Sequence, residues 1–349
     1  MMTEYLNLFV DREYPNFLNR YLITKTMKRL KYVTQICGCD YTNLYQPKFL
    51  YTRFDHSLIV AHMTWHFTHD KKETLAALLH DIGTPCFAHT IDFLLGDSIN
   101  QESSEETLSD VIARDEELKR YLKEDDIPIE DLSNLEQFPI LENHSPRLCT
   151  DRLDGVLHTC YIWLHTNSLS EIKEVYDDII VLQNEDGRKE LGFKNLKYAN
   201  SFARMTRTYA KELQGNRDKY VMKYISEALK KVAEQNLITL SDLYQKKESE
   251  IVSILREHIS SWSTFEHVTN LTSSNEKPNQ FFVSVESKKR NVVPLVQRKT
   301  ASKRIDTCSK IAKKIYDDIA CLYSKYFKDW MKNSSNLFLL YKNSDCNSK

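Results

Sequence analysis

Apolar residues recur along most of this chain at spacings of three and four, which puts them on one stripe of a helix. Tyr21, Met27, Leu30 and Val33 form such a stripe and predict an amphipathic helix, stopped by Cys37-Gly38-Cys39-Asp40. Ile59, Met63 and Phe67 predict a second helix over roughly 57–69. Leu75, Leu78 and Leu79 predict a third over 71–81, ended by Gly83 and Pro85. His80 and Asp81 therefore fall in its last turn, and the apolar run ahead of them carries that turn into the interior. A fourth helix is expected to begin near His89 and to run through Phe93-Leu94-Leu95 to Gly96.

Further on, residues 97–139 hold 14 Asp and Glu against 4 Lys and Arg, which reads as a solvated helical hairpin. The helical pattern resumes after Pro146 through Val156, Leu157, Tyr161 and Leu164, and amphipathic helices continue over 170–263. Residues 270–279 form a Ser/Asn/Pro linker. Two β-branched and aromatic runs around a basic turn predict a β-hairpin over 280–297. Ile305, Cys308, Ile311, Ile315, Ile319 and Leu322 predict one long final helix, and the polar tail from Asn333 is expected to fray. The pattern predicts a mainly α protein, with a helical core over 1–200 and a helical C-terminal lobe over 201–349. That lobe carries a small β-hairpin or sheet near 280–297.

Composition narrows the function. Lys and Arg number 48 against 49 Asp and Glu, so the net charge of -1 disfavours a dedicated nucleic-acid binder. No Gly-rich phosphate loop occurs, and the 8 Cys are scattered without a Cys-x-x-Cys pair, which argues against a structural zinc site. Their plain role is that of small buried hydrophobes. The start of the chain lacks a basic region followed by an apolar run, and no stretch reaches about 18 apolar residues. A cytoplasmic protein without membrane contact is expected, and a homo-oligomer stays open. Lys288 to Arg304 carries seven basic residues and no acidic one. Such a run suits a triphosphate, an allosteric nucleotide or an RNA backbone, and equally a solvated hairpin.

Nine of the eleven histidines lie between His56 and His165. Among them His56, His80 and the adjacent Asp81, together with Asp151 downstream, make two imidazoles and two carboxylates. That is a donor set for a divalent ion able to generate a nucleophile at neutral pH and to neutralise phosphoryl oxygens. It suits Mn, Fe, Zn, Co or Ni, and Mg more weakly. The plain alternative is hydrogen-bonded core histidines and a chance His-Asp pair. His56 one helix upstream, Gly83 and Pro85 just after, and Asp-Arg-Leu-Asp at 151–154 weigh against it. His62 and His66, four apart, have a spacing that can hold a second ion, although core and surface histidines account for them more simply.

The order His56…His80-Asp81…Asp151 resembles the HD-domain metal-dependent phosphohydrolases, and more closely their deoxynucleoside triphosphate triphosphohydrolase branch. Arg53-Phe54-Asp55-His56 matches the triplet before the first histidine. His80-Asp81-Ile82-Gly83-Thr84-Pro85-Cys86-Phe87-Ala88-His89 matches the second motif, Asp92 follows in place, and Asp151-Arg152-Leu153-Asp154 matches the last. The match spans roughly 20–200 and, loosely, 280–320. The resemblance implies an HD-domain helical core in which His56, His80, Asp81 and Asp151 bind the metal. Arg53 and Arg152 would hold phosphate oxygens, a task that suits guanidinium geometry. His89 would contact the phosphate near the scissile bond, and Asp92 would orient a catalytic group. The chain departs from that branch where the leaving group and sugar are handled. Thr84 and Asn100 stand where histidines are usual, Gly155 where a tyrosine is, and Thr159 where an aspartate is. The expected substrate is a nucleotide, a dNTP first. A phosphomonoesterase or phosphodiesterase on a small nucleotide, and a nucleotide-binding HD module without turnover, are the alternatives.

Overall fold

The computed structural model describes residues 1–10, 14–96, 108–274, 282–283, 288–299, 301–332 and 338–341. The protein is mainly helical, with a four-stranded sheet in order β1-β2-β5-β6 and a three-stranded sheet in order β3-β7-β4. Their strands are β1 (Ile179–Gln183), β2 (Lys189–Phe193), β3 (Leu271–Ser274), β4 (Phe282–Val283), β5 (Leu295–Val296), β6 (Lys303–Arg304) and β7 (Phe338–Tyr341). Among the described residues no helix is long and apolar enough to cross a membrane.

The helices that matter for the site are set by local caps. Thr52 and Asp55 form a reciprocal capping box that starts helix Arg53–Thr68. Asp55 is thus spent on the cap, one residue before His56. His69, left-handed at φ 49°, ends that helix, and the Asp70 carboxylate accepts the Glu73 N–H to start helix Lys71–Leu79. The two helices pack as a hairpin, and Val60 and Ala61 meet Leu75, Leu78 and Leu79 in one buried cluster. His80 lies just past the second helix and not within its last turn. Helix Thr90–Leu95 follows, with His89 at its N-cap and Gly96, at φ 87°, closing it.

Five expectations need correction. The stripe Tyr21, Met27, Leu30 and Val33 is fully buried, but the backbone breaks at Thr24, whose side chain caps a new helix, Lys25–Arg29. The final helix is likewise cut. Ile305–Cys308 stops at extended Ser309, whose hydroxyl accepts the Ala312 N–H and restarts the chain as Lys310–Lys332. The hairpin expected over 280–297 is not formed by its two runs. Phe282–Val283 pairs with β7, whereas Leu295–Val296 pairs with β2 and β6. Its turn at 284–287 lies outside the described residues, as does the start of the acidic stretch up to 107. A hairpin, β1–β2, forms instead in a stretch where helices are expected; Ile179-Ile180-Val181 and Asp186-Gly187 are its signals. Phe338–Tyr341, in the tail expected to fray, forms β7.

His62, on the first of the paired helices, is 2% exposed and packs against Tyr14 with ring centroids 5.3 Å apart. Burial lowers its imidazole from 6.5 to about 4. A folded value below the unfolded one means this contribution to stability is complete above pH 6.5 and lost as pH falls toward 4. His62→Leu should therefore remove roughly 3 kcal/mol of the stability loss between pH 7 and pH 4. Urea unfolding of both proteins at the two pH values measures this, and parallel losses would contradict it.

Candidate metal centre

Four side chains from three separate segments meet beside the helix hairpin. His56 Nε2 is 3.0 Å from Asp151 Oδ1 and 3.6 Å from Asp81 Oδ2. His80 Nε2 is 3.6 Å from that same Asp81 oxygen and 3.7 Å from Asp151 Oδ1. One donor atom each from His56, His80 and Asp151 lies within 4.8 Å of the others. A second such group, Glu142, Cys149 and Asp151, shares Asp151, but Arg152 Nη1 already bonds Glu142 at 2.8 Å. Neither group includes His62 or His66.

Each imidazole is turned by a partner on its other nitrogen. His80 Nδ1 donates to the Ala77 carbonyl at 2.7 Å, which fixes Nε2 as the lone-pair atom. His56 Nδ1 lies 2.6 Å from Asp154 Oδ2. Asp154 is wholly buried and also accepts the hydroxyls of Tyr51 at 2.9 Å and Tyr5 at 3.2 Å. A carboxylate or carbonyl behind each histidine is the usual support of a ligating imidazole. Asp81 is braced too: Arg53 Nη1 donates to Oδ2 at 2.9 Å and Thr84 Oγ1 to Oδ1 at 3.1 Å.

The residues fit a cation. His80 Nε2 is buried and has no hydrogen-bond partner, an arrangement that costs free energy unless something else fills it. The electrostatics agree. Burial opposes charge on His56, yet the Asp151 and Asp154 carboxylates push it up to about 10. His80 is raised in the same way by Asp81 and Asp151 against its burial. Burial would raise Asp81, but Arg53, His80 and His56 hold it well below the carboxylate range. Without a cation, the cluster draws protons onto its imidazoles.

The cluster opens into a cavity of about 530 Å³. Arg53, Arg152, Lys219, Lys288, Lys289 and Arg290 line it, against the acids Asp81, Glu142, Asp151 and Asp218. The wall therefore has two more cations than carboxylates before any imidazole is counted. The basic run read as one patch is divided: Lys288–Arg290 face this cavity, while Arg304 is tied to Glu185 at 2.9 Å and to Glu190. His89 lines the cavity, with Nδ1 3.1 Å from the fully buried Asp92. Burial, with Arg290 and Arg53 nearby, lowers His89 below its usual value despite Asp92. Arg152 turns away from Asp154. Its guanidinium bonds Glu142, the Asn143 loop and, at 2.9 Å, the Arg147 carbonyl. A Cβ on Gly155 would come 3.9 Å from the Tyr209 ring, so a tyrosine from helix Leu196–Leu213 stands over the position that lacks one. Thr159 donates its hydroxyl to the Gly155 carbonyl at 2.7 Å. It lies in the π-helical turn Thr159–Trp163, an irregularity frequent at functional sites.

All four expected ligands are thus brought together, with Arg53 beside them and His89 at the wall. Asp154 was missed as the residue that orients His56, although its place three residues after Asp151 on one helix was a usable signal. Tyr5, Tyr51, Lys219 and Tyr209 had no such signal.

No family model matches the chain. It is 28% identical to the uncharacterized protein YdhJ of Bacillus subtilis over 218 residues, which are 61% of this chain and 63% of that one. The match thus spans less than two thirds of that relative. A hypothetical protein from Aquifex aeolicus, solved as a crystal structure, has a TM-score of 0.61 at 20% identity, over 84% of this chain and 88% of its own. A phosphohydrolase from Bacteroides thetaiotaomicron has a TM-score of 0.59 at 16% identity, over 93% and 95%. With these two solved proteins the chain shares its fold.

Proposed function

We propose that this protein is a metal-dependent phosphohydrolase of the HD type acting on a nucleotide, with dNTP triphosphohydrolysis the first reaction to test. The observation that carries this reading is the buried, unpartnered His80 Nε2, set among His56 Nε2, Asp81 and Asp151. A divalent ion held by these four would supply Lewis acidity, lowering the pKa of water and neutralising phosphoryl oxygens. Arg53, held by Asp81, brings its guanidinium charge to the cavity wall where the phosphate would lie. Arg152 and Lys288–Arg290 add positive charge along the wall where an anionic tail would lie. Asp92 holds the Nδ1 side of His89, so Nε2 is the atom left for a phosphoryl or leaving oxygen. On this reading residues 1–200 form the catalytic core. The lobe over 201–349 lends Tyr209, Lys219 and Lys288–Arg290 to the cavity.

The departures favour one second reading. Thr159, with its hydroxyl spent on Gly155, offers no carboxylate to a sugar hydroxyl, which suits a phosphomonoesterase or phosphodiesterase on a small nucleotide. A screen of dNTPs, nucleoside monophosphates and cyclic nucleotides, each with Mn, Co, Ni, Zn, Fe and Mg, separates the two. Triphosphate release is the expected outcome, and orthophosphate from a monophosphate, or ring opening of a cyclic nucleotide, selects the second. Binding without turnover in every metal would leave a ligand-binding module and refute both.

A further inference from the structure

His89 is reached through a strained turn. Phe87 at φ 61° and Ala88 at φ 45° are both left-handed and neither is glycine. That conformation costs an L-residue about 1–2 kcal/mol, so contacts from outside the turn must hold it. One comes from far along the chain. The Phe87 N–H donates to Glu248 Oε2 at 2.9 Å, and Glu248, 1% exposed, is the first residue of helix Glu248–His258.

The same carboxyl holds a second segment. Its Oε1 is 2.8 Å from Thr34 Oγ1, and Oε2 is 3.4 Å from the Thr34 N–H. Thr34 forms a β-bridge with Thr52, and the Arg53 N–H donates to the Val33 carbonyl at 2.9 Å. Glu248 therefore bonds one backbone that delivers Arg53 and another that delivers His89.

We propose that Glu248 is a positioning residue of the phosphohydrolase site, holding the Thr34 and Phe87 backbones at the separation that sets Arg53 and His89 on the cavity wall. This rests on the function proposed above. Glu248 acts in its protonated form or shares a proton with Asp40. Thr34 Oγ1 has one hydrogen but lies 2.8 Å from Glu248 Oε1 and 3.0 Å from Asp40 Oδ1, so one of the two carboxyls carries a proton there. Burial, then the nearby Asp40, keeps Glu248 above the ordinary carboxyl range, while the Phe87 and Thr34 donors work against this. A glutamine reproduces this pattern: its amide NH₂ replaces the protonated oxygen toward Thr34, and its carbonyl accepts from Phe87.

The test compares Glu248→Ala and Glu248→Gln in the full chain. Turnover of an equimolar mixture of the four dNTPs with Mn²⁺ is measured beside Mn²⁺ affinity and amide exchange of the 86–91 and 33–53 segments. In the alanine variant kcat should fall about 100-fold, as a misplacement near 1 Å costs, with KM and Mn²⁺ affinity within about threefold. Exchange should rise in both segments. The glutamine variant should recover kcat to within about threefold of wild type. Unchanged kcat in the alanine variant, or a glutamine variant as impaired as the alanine one, overturns the proposal. A parallel loss of Mn²⁺ affinity also overturns it, because the defect is then global. If wild-type protein releases no triphosphate, the functional reading falls instead, and the exchange data still decide the clamp: unaltered exchange at 86–91 refutes it.

Discussion

Asp81→Asn is expected to abolish turnover and to weaken divalent-metal binding more than any other single isosteric change. Asp81 Oδ2 is the oxygen that both imidazole Nε2 atoms face at 3.6 Å, and it also receives Arg53. An amide keeps the shape and a partner for Thr84 but removes the negative charge. Charge stabilisation by a bound ion is worth several kcal/mol in the transition state, so the loss in kcat/KM should be on the order of 1000-fold or more. The fold should survive, since Asn fills the same volume. Calorimetric titration with Mn²⁺ and the screen above read both effects. Wild-type Mn²⁺ affinity in this variant would remove Asp81 from the ligand set, and residual turnover at wild-type rate would trace the activity to a contaminant.

Asp154 should divide stability from affinity according to the substitution. Its buried carboxylate accepts from Tyr5 and Tyr51 and lies against His56 Nδ1. Burial would raise it, but His158 and His56 hold it well below the ordinary range. Asp154→Ala leaves two buried hydroxyls and an imidazole N–H without an acceptor. Removing one partner of a buried charged network costs about 3–5 kcal/mol. For a chain of this length that is a fall of about 5 °C in Tm. Asp154→Asn keeps an acceptor for His56 and a group that Tyr5 can meet, so the fold should hold. The lost charge makes His56 a poorer ligand, and metal affinity should drop about 10–100-fold, the usual effect of removing such a support. Thermal unfolding and Mn²⁺ titration of the two variants separate these outcomes. An asparagine variant with wild-type affinity would show that Asp154 serves packing alone.

The places where reading and structure part company have a common character. The Tyr21–Val33 stripe predicts a continuous helix because periodicity counts apolar positions and is blind to Thr24, whose hydroxyl offers the backbone another partner. Ser309 cuts the last helix by the same means. In the 280–297 stretch Phe282–Val283 and Leu295–Val296 are strands, as their aromatic and β-branched character predicts, but they pair with other strands and not with each other. Leu295–Val296 lies parallel to β2, about a hundred residues earlier, and nothing local specifies that. Gly192 carries the trace of it: a Cβ there would come 2.8 Å from the Leu295 carbonyl.

By itself the sequence determined the helix hairpin and the end at which His80 and Asp81 sit. Caps and stop signals act over three or four residues, so Thr52 with Asp55, Asp70 with Glu73, and Gly83 with Pro85 are legible without a fold. It also put donors of the right chemical type in the right order. Only the tertiary structure decided which of them meet. His56 reaches Asp154 across 98 positions, Arg152 chooses Glu142 over its neighbour Asp154, and Glu248 grips Phe87 from 161 positions away. Such contacts depend on how packed helices bring distant backbones within hydrogen-bond range, and a buried polar group takes whichever partner that packing provides.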